Sequence, residues 1–279
     1  MVELIQVIIH SGIAREGTMN ADQHVLKHAN APHKTLVDYI APAGLALALC
    51  AGLSAALSGL GTRWVWWYFT TGFMILRWSA VAGLIAAIVS LTGGILSGRG
   101  LRRAGVFIAL AGLLIGIVIA AIPWSWMRTA QQVPRIHDIT TDMDNPPRFV
   151  SILPLRKDAP NSPEYGGSGI ALQQRAAYPD IKPLVLPIPV TAAFEQALET
   201  ARNMGWTIVD ANSNDGRIEA MDRTFWFGFT DDIVVRITPL PGSSKIDVRS
   251  VSRVGLSDIG TNAKRIRVFL RRISRAGMH

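Results

Sequence analysis

The chain has 279 residues, 49% hydrophobic and 17% charged, with a formal net charge of +8 at pH 7. Eight of the 28 basic and four of the 20 acidic residues precede Arg128, so two halves of unlike composition share the excess positive charge equally. No basic face is singled out, which argues against nucleic-acid binding, and the lone Cys50, set in an apolar run, excludes an intramolecular disulfide and a cysteine-based metal site.

Residues 1–38 form a polar tail, expected on the cytoplasmic side. Its length ahead of the first apolar run argues against a cleavable signal peptide, so the first helix is read as an uncleaved signal anchor, with Met19 an alternative start. His24 and His28 stand four apart with His33 nearby, but a polar juxtamembrane tail explains them and no metal is expected. Three apolar stretches follow, at about 39–61, 71–96 and 104–126. Each reaches the roughly 20 residues that a helix needs to cross a bilayer, and none has the polar face of a soluble bundle helix. Residues 39–127 are therefore expected to form a three-helix transmembrane bundle in contact with the lipid bilayer.

Orientation follows from arginines in the short loops. Arg99, Arg102 and Arg103 sit between the second and third stretches, against Arg63 alone between the first and second. Cytoplasmic loops carry the excess of basic residues, so the amino terminus is expected inside a bacterial inner membrane and everything beyond Trp126 in the periplasm. Trp64, Trp66, Trp67 and Tyr68 then share the outer interface with Trp124 and Trp126, as amphipathic rings prefer. Arg77 either snorkels to that interface, with the second helix starting near Trp78, or faces a polar partner in the bundle. Small residues recur at four-residue steps (Gly44, Ala48, Gly52, Ala56; Ala82, Ala86, Ser90, Gly94; Gly112, Gly116, Ala120), a pattern that lets helices approach closely. Ion or proton pathways need ionisable groups at depth, and with Arg77 the sole candidate, a transporter or channel is not expected.

From 128 to 182 the chain is rich in proline and glycine, as in Asn145-Pro146-Pro147 and Gly166-Gly167-Ser168-Gly169, and reads as a flexible spacer or as a loop that lies on the domain and functions there. Residues 183–279 read as an α+β domain. An edge strand at Leu184 to Val190 is followed by a helix from Ala192 to Met204, with Thr191 as its cap and Gly205 ending it. Strands at 206–211 and 217–224 join through Asn214-Asp215-Gly216, and strands at 230–238 and 245–254 turn through Pro239-Leu240-Pro241-Gly242. A last helix, capped by Ser257, runs from Asp258 to about Arg275 with Ile259, Ala263, Ile266, Leu270 and Ile273 on its apolar stripe. This order suits an antiparallel sheet with two helices on one face, a helix-grip-like arrangement.

Period-two alternation turns Ile233, Val235, Ile237, Ile246 and Val248 inward and gathers Asp232, Arg236, Asp247, Arg249 and Arg253 on the opposite face. Guanidinium groups bind carboxylate and phosphate bidentately, so this group is a candidate surface for an anionic ligand or an envelope protein; a ladder of cross-strand ion pairs is the structural alternative. His137, Asp138 and Asp142 are weaker candidates for acid–base catalysis or, with further ligands from elsewhere, metal binding, against a docking segment whose polar side chains cap turns. Trp226 and Phe227 belong to a run with four aromatics in five positions (Phe225, Trp226, Phe227, Gly228, Phe229) that one core cannot absorb. Some of these rings face a ligand, a partner or the bilayer, or are buried from two sides under the proline-rich segment. Lys264, Arg265, Arg267, Arg271, Arg272 and Arg275 make the last helix basic, as a solvated face favours near a helix C-terminus, with binding of lipid headgroups the alternative.

The stretches Ile136-His137-Asp138-Ile139-Thr140-Thr141-Asp142, Asn145-Pro146-Pro147-Arg148-Phe149, Arg223-Thr224, Phe227 to Arg236, Asp247 to Gly255 and Ser257 to Ile266 resemble a bacterial family known as domain of unknown function 1499. That resemblance implies an address and a fold but no activity, catalytic residues or cofactor. The helix and hairpin pattern is also similar, in topology, to the helix-grip domains of a lipoprotein component of the outer-membrane barrel assembly machine. The function expected is a non-enzymatic inner-membrane protein whose periplasmic domain binds a ligand or partner in an accessory or assembly role. The alternatives are a membrane-anchored hydrolase-like enzyme and a small structural member of a larger membrane complex.

Overall fold

The computed structural model describes residues 35–99 and 103–276. The tail with Met19, His24, His28 and His33, and Arg102 in the second loop, lie outside the described residues. Three helices open the described chain: α1 (Val37–Arg63), α2 (Phe69–Arg99) and α3 (Arg103–Gln132). At 1.5 Å per residue each is about 40 Å or longer, more than the roughly 30 Å of a hydrocarbon core. All three are long and apolar enough to cross a membrane, and at most 33% of each most apolar window is buried against the rest of the molecule. The rest of that surface is apolar and outward-facing, which suits lipid and not water.

The three helices pack on one another. The contact stripe on α1 runs through Ala41, Gly44, Ala48, Ala51, Ala55 and Ser58, with Gly59 and Gly61 also buried beyond it. On α2 it runs through Gly72, Leu76, Ser79, Gly83, Ala86, Ser90, Gly93 and Ser97, with Ala87 buried beside it, and on α3 through Ala109, Gly112, Gly116 and Ile119. Steps of three and four alternate on every helix, so the contact stripe differs from the strict four-residue stripe expected, and Ala56 lies outside it. The reason is geometric: at 3.6 residues per turn, steps of four drift off one face, whereas a 3.5-residue average holds it with slight supercoiling. Backbones come very close here. A Cβ on Gly93 would lie 2.6 Å from the Ala41 nitrogen, and one on Gly44 2.8 Å from that of Ser90. Arg77 is exposed two turns inside α2 and has no ion pair among the described residues. The helix starts at Phe69 and not near Trp78, so Arg77 faces outward about 12 Å from that end.

Beyond α3 the chain builds one antiparallel sheet of six strands: β1 (Asp138–Thr140), β2 (Leu184–Leu186), β3 (Thr207–Asn212), β4 (Arg217–Arg223), β5 (Thr230–Leu240) and β6 (Ser243–Ser252). The order is β1-β6-β5-β4-β3, with β2 also on β6, so β1 and β2 lie end to end along one strand. Three helices accompany it: α4 (Gly167–Ala177), α5 (Val190–Asn203) and α6 (Thr261–Ala276). Helix α5 forms because Ala193, Phe194, Ala197, Leu198 and Ala201 recur on one stripe, all buried. Gly205, at φ 80, ends it.

Helix α6 begins at Thr261, three residues later than Ser257-capped helicity would give. Ile259 and Gly260 adopt positive φ, and the Asp258 carboxylate accepts the N–H groups of Gly260 and Asn262 at 2.9 and 2.6 Å. Ile259 therefore sits outside the helix and stays exposed. The β3–β4 hairpin turns at Gly216, φ 60, where any Cβ would press on the Ile237 carbonyl. The main core lies between the sheet and helices α5 and α6. It contains Ile233, Val235, Ile237, Ile246, Val248, Ile266 and Ile273, with Trp206 stacked on Phe269 at 5.1 Å.

Candidate functional site

The β5–β6 register brings Arg236 opposite Asp247, Val234 opposite Arg249 and Asp232 opposite Val251, which puts the candidate residues of both strands on the sheet face away from α5 and α6. That face is not open. The proline-rich segment folds over it, and a second apolar cluster of Phe149, Ile152, Val234 and Val251 fills the space beneath. Arg249, 2% exposed, reaches Asp138 through two bonds of 2.9 and 2.7 Å and donates to the carbonyls of Pro147 and Pro163. The Phe149 and Tyr165 rings lie 5.3 and 5.6 Å from its guanidinium carbon. Asp232 is held by Arg156 at 2.8 Å and by Arg253 at 2.7 Å, while Arg253 also donates to the Leu155 carbonyl. Arg236 joins Asp247 at 2.8 Å, Asp142 at 3.1 Å and the Asn145 carbonyl, and Lys245 bridges the same two carboxylates.

Each charge of this group thus has a partner inside the molecule. Desolvation costs a buried ion several kcal/mol unless geometry and further hydrogen bonds compensate, and the bidentate pairs and carbonyl acceptors supply that compensation. Burial works to raise the Asp142 carboxyl, but the Asn145 N–H, Lys245 and Arg236 outweigh it and hold it below the usual carboxylate range.

His137, Asp138 and Asp142 do not converge. Asp138 and Asp142 are engaged by Arg249 and by Arg236 with Lys245. The His137 carbonyl accepts from Ser252 N–H and the Asn262 amide, and its buried Nδ1 has no partner. Among the described residues no three His, Cys, Asp or Glu side chains gather as a metal would need.

Trp226 and Phe227 meet the chain's own helices. The β4–β5 loop drops into the end of the bundle, where Trp226 Nε1 donates to the Ala56 carbonyl at 3.0 Å, about 10 Å below the end of α1. Phe227, 5% exposed, packs with Ala51, Ala55, Leu76 and Ile119, 4.9 Å from the Phe73 ring. Arg63 donates to the carbonyls of Thr224 and Phe225, and Arg223 donates to the Arg63 carbonyl at 2.8 Å. The last turn of α1 thus gains a cation where its dipole favours one. Neither of the expected surroundings for this loop included a wedge between helices.

Further residues complete the site. Arg156 sits in a 3-10 turn of the proline-rich segment, 76 positions from its partner Asp232. The buried Glu219 carboxylate accepts the N–H groups of Val150, Ser151 and Ile152 and so ties the cover to β4. Alternation along Arg217, Glu219 and Met221 is the signal that places Glu219 on this face. Gln174 of α4 spans the outer edge of β1 by accepting from Thr140 N–H at 3.0 Å and donating to its carbonyl at 2.6 Å. On the helix side, Arg265 pairs with Asp231 at 2.6 Å and Asp222 at 2.8 Å, backed by Ser250 and Asn262.

Two cavities bear on function. One, of about 860 Å³, opens between the cover and α4 and is lined by Arg148, Arg175, Arg249, Glu164 and Tyr165 among others. Helix α4 starts here without a side-chain cap. The Tyr165 hydroxyl is buried without a partner, and burial together with the Asp138 charge pushes its pKa up to about 12. The other, of about 510 Å³, lies where the domain meets α2 and α3.

Residues 138–273 match the model of a family described as "Protein of unknown function (DUF1499)". No curated protein matches the chain.

Proposed function

The chain belongs to the DUF1499 family, and on that footing we propose a non-enzymatic protein of a bacterial inner membrane whose domain, held in the periplasm, binds an anionic envelope ligand. The cavity beside α4 carries this reading. Arg148 is exposed and has no ion pair among the described residues; Arg175 is engaged by Asp144, which is exposed. The uncapped N–H groups of α4 line the same space. Uncapped helix N-termini and arginines favour carboxylate or phosphate, and the volume lies within the roughly 300–1,000 Å³ common for ligand pockets. Dispersal of His137, Asp138 and Asp142 favours binding over hydrolysis.

Inorganic phosphate and citrate serve as probes. Either one, at about 100 times its Kd, should stabilise the detergent-solubilised protein by about 2.7 kcal/mol. The Arg148→Ala, Arg175→Ala double variant should lose that shift while keeping its own melting temperature. A wild-type melt indifferent to both anions would remove the ligand reading.

Orientation has its own expected outcome. A periplasm-dependent reporter fused after His279 should be active and a cytoplasm-dependent one silent, because the loop at 97–103 holds three arginines. The reverse pattern would invert the topology.

A further inference from the structure

The cavity at the junction has unlike walls. Phe69 and Phe73 of α2, Trp126 of α3 and Phe229 form its lower part, at the helix ends that carry the aromatic belt. Its upper part is polar, with Asp258, Thr261 and Lys264 at the start of α6. Access from the lipid side is open, since Phe73, Trp126 and Ile259 keep 44, 39 and 40% of their surface exposed. Around it the domain's underside shows Phe225 and Leu256, 87 and 76% exposed, continuous with the outward-facing helices. A cleft that runs from an apolar floor at the bilayer to a polar roof outside it matches an amphipath and not a free polar solute.

The charge at the roof selects among amphipaths. Asp231, also on the wall, is neutralised by Arg265 at 2.6 Å. Burial pushes the Asp258 carboxyl up, and both its oxygens already accept N–H groups of the α6 start. Lys264 is exposed and has no ion pair among the described residues, which leaves its ammonium as the free charge beside the Thr261 hydroxyl. We infer that the junction cavity holds the chain and phosphate of an anionic phospholipid from the surrounding leaflet, its hydrocarbon among the aromatic rings and its phosphate on Lys264. With about 510 Å³, the site takes part of one lipid and leaves the remainder in the bilayer.

The test is native mass spectrometry of the full chain in detergent, with phosphatidylglycerol or phosphatidylcholine added at equal concentration. Wild type should retain one phosphatidylglycerol at least tenfold better than phosphatidylcholine. Lys264→Glu, at an exposed position, should abolish that preference. Thr129→Trp, exposed on α3 and facing the cavity, should fill it and lower retention of both lipids at least tenfold. Equal retention of the two lipids by wild type overturns the anionic assignment, and unchanged retention in both variants overturns the site. The alanine pair at Arg148 and Arg175 should retain lipid as wild type does, so the two sites stand or fall separately.

Discussion

Arg249→Ala should destabilise the domain by about 3–5 kcal/mol, and Asp138→Ala by a similar amount, because each leaves the other's charge buried and unpaired. The magnitude follows from where the pair sits. Arg249 is 2% exposed and Asp138 4%, so neither freed charge can recover its hydration, whereas an exposed ion pair contributes about 0–1 kcal/mol. Arg249 should be the worse loss, since its removal also strands the carbonyls of Pro147 and Pro163 and takes the cation from between two aromatic rings. The double variant should cost less than the sum of the singles by about 0.5–3 kcal/mol, the usual coupling between contacting residues. Thermal denaturation of the full chain, wild type against the three variants, measures this cycle. Single variants within about 0.5 kcal/mol of wild type, the range of ordinary surface substitutions, would mean that the cover does not seal the face.

That cycle turns on a contact between segments more than 100 positions apart, and such contacts mark the limit of what the chain discloses by itself. Alternation along β5 and β6 shows that Asp232, Arg236, Asp247 and Arg249 share a face, because side-chain direction in a strand is a local property. Whether that face is wet depends on where residues 142–165 go, and proline and glycine say only that those residues are not helix or strand. An open Arg/Asp surface and an internal ion layer have the same local sequence. The apolar spans are legible for the same reason as the strands, since length and hydropathy are local, but their contact stripe is not: small residues occur at many spacings, and only packing selects the alternation of three and four. Ser257 as a cap fails locally, since Ile259 and Gly260 take positive φ and hand the capping to Asp258.

The aromatic loop is the clearest case of a residue whose role depends on the other half of the chain, and it carries the second large effect expected. Phe227→Ala should loosen the domain from the bundle by about 3 kcal/mol, the low end of the range for truncating a buried phenylalanine. The low end applies because the outer surface of these helices is apolar and suits lipid. A released Phe227 and Trp226 can enter the interface, so the driving force is packing and the bond from Trp226 to the Ala56 carbonyl more than escape from water. A domain core built elsewhere, around Ile233, Val248 and Phe269, should keep its stability. Hydrogen exchange separates the two: amides at 224–229 should exchange about 100-fold faster in the variant, the factor that a loss of about 3 kcal/mol implies, while those of β5 and β6 stay protected. Gly59→Leu should reproduce the pattern from the other side, because any Cβ there collides with the Trp226 indole and the loop must withdraw to admit it. Unchanged exchange in the loop of either variant would show that the domain is held to its helices by the tether at 133–137 and not by the wedge.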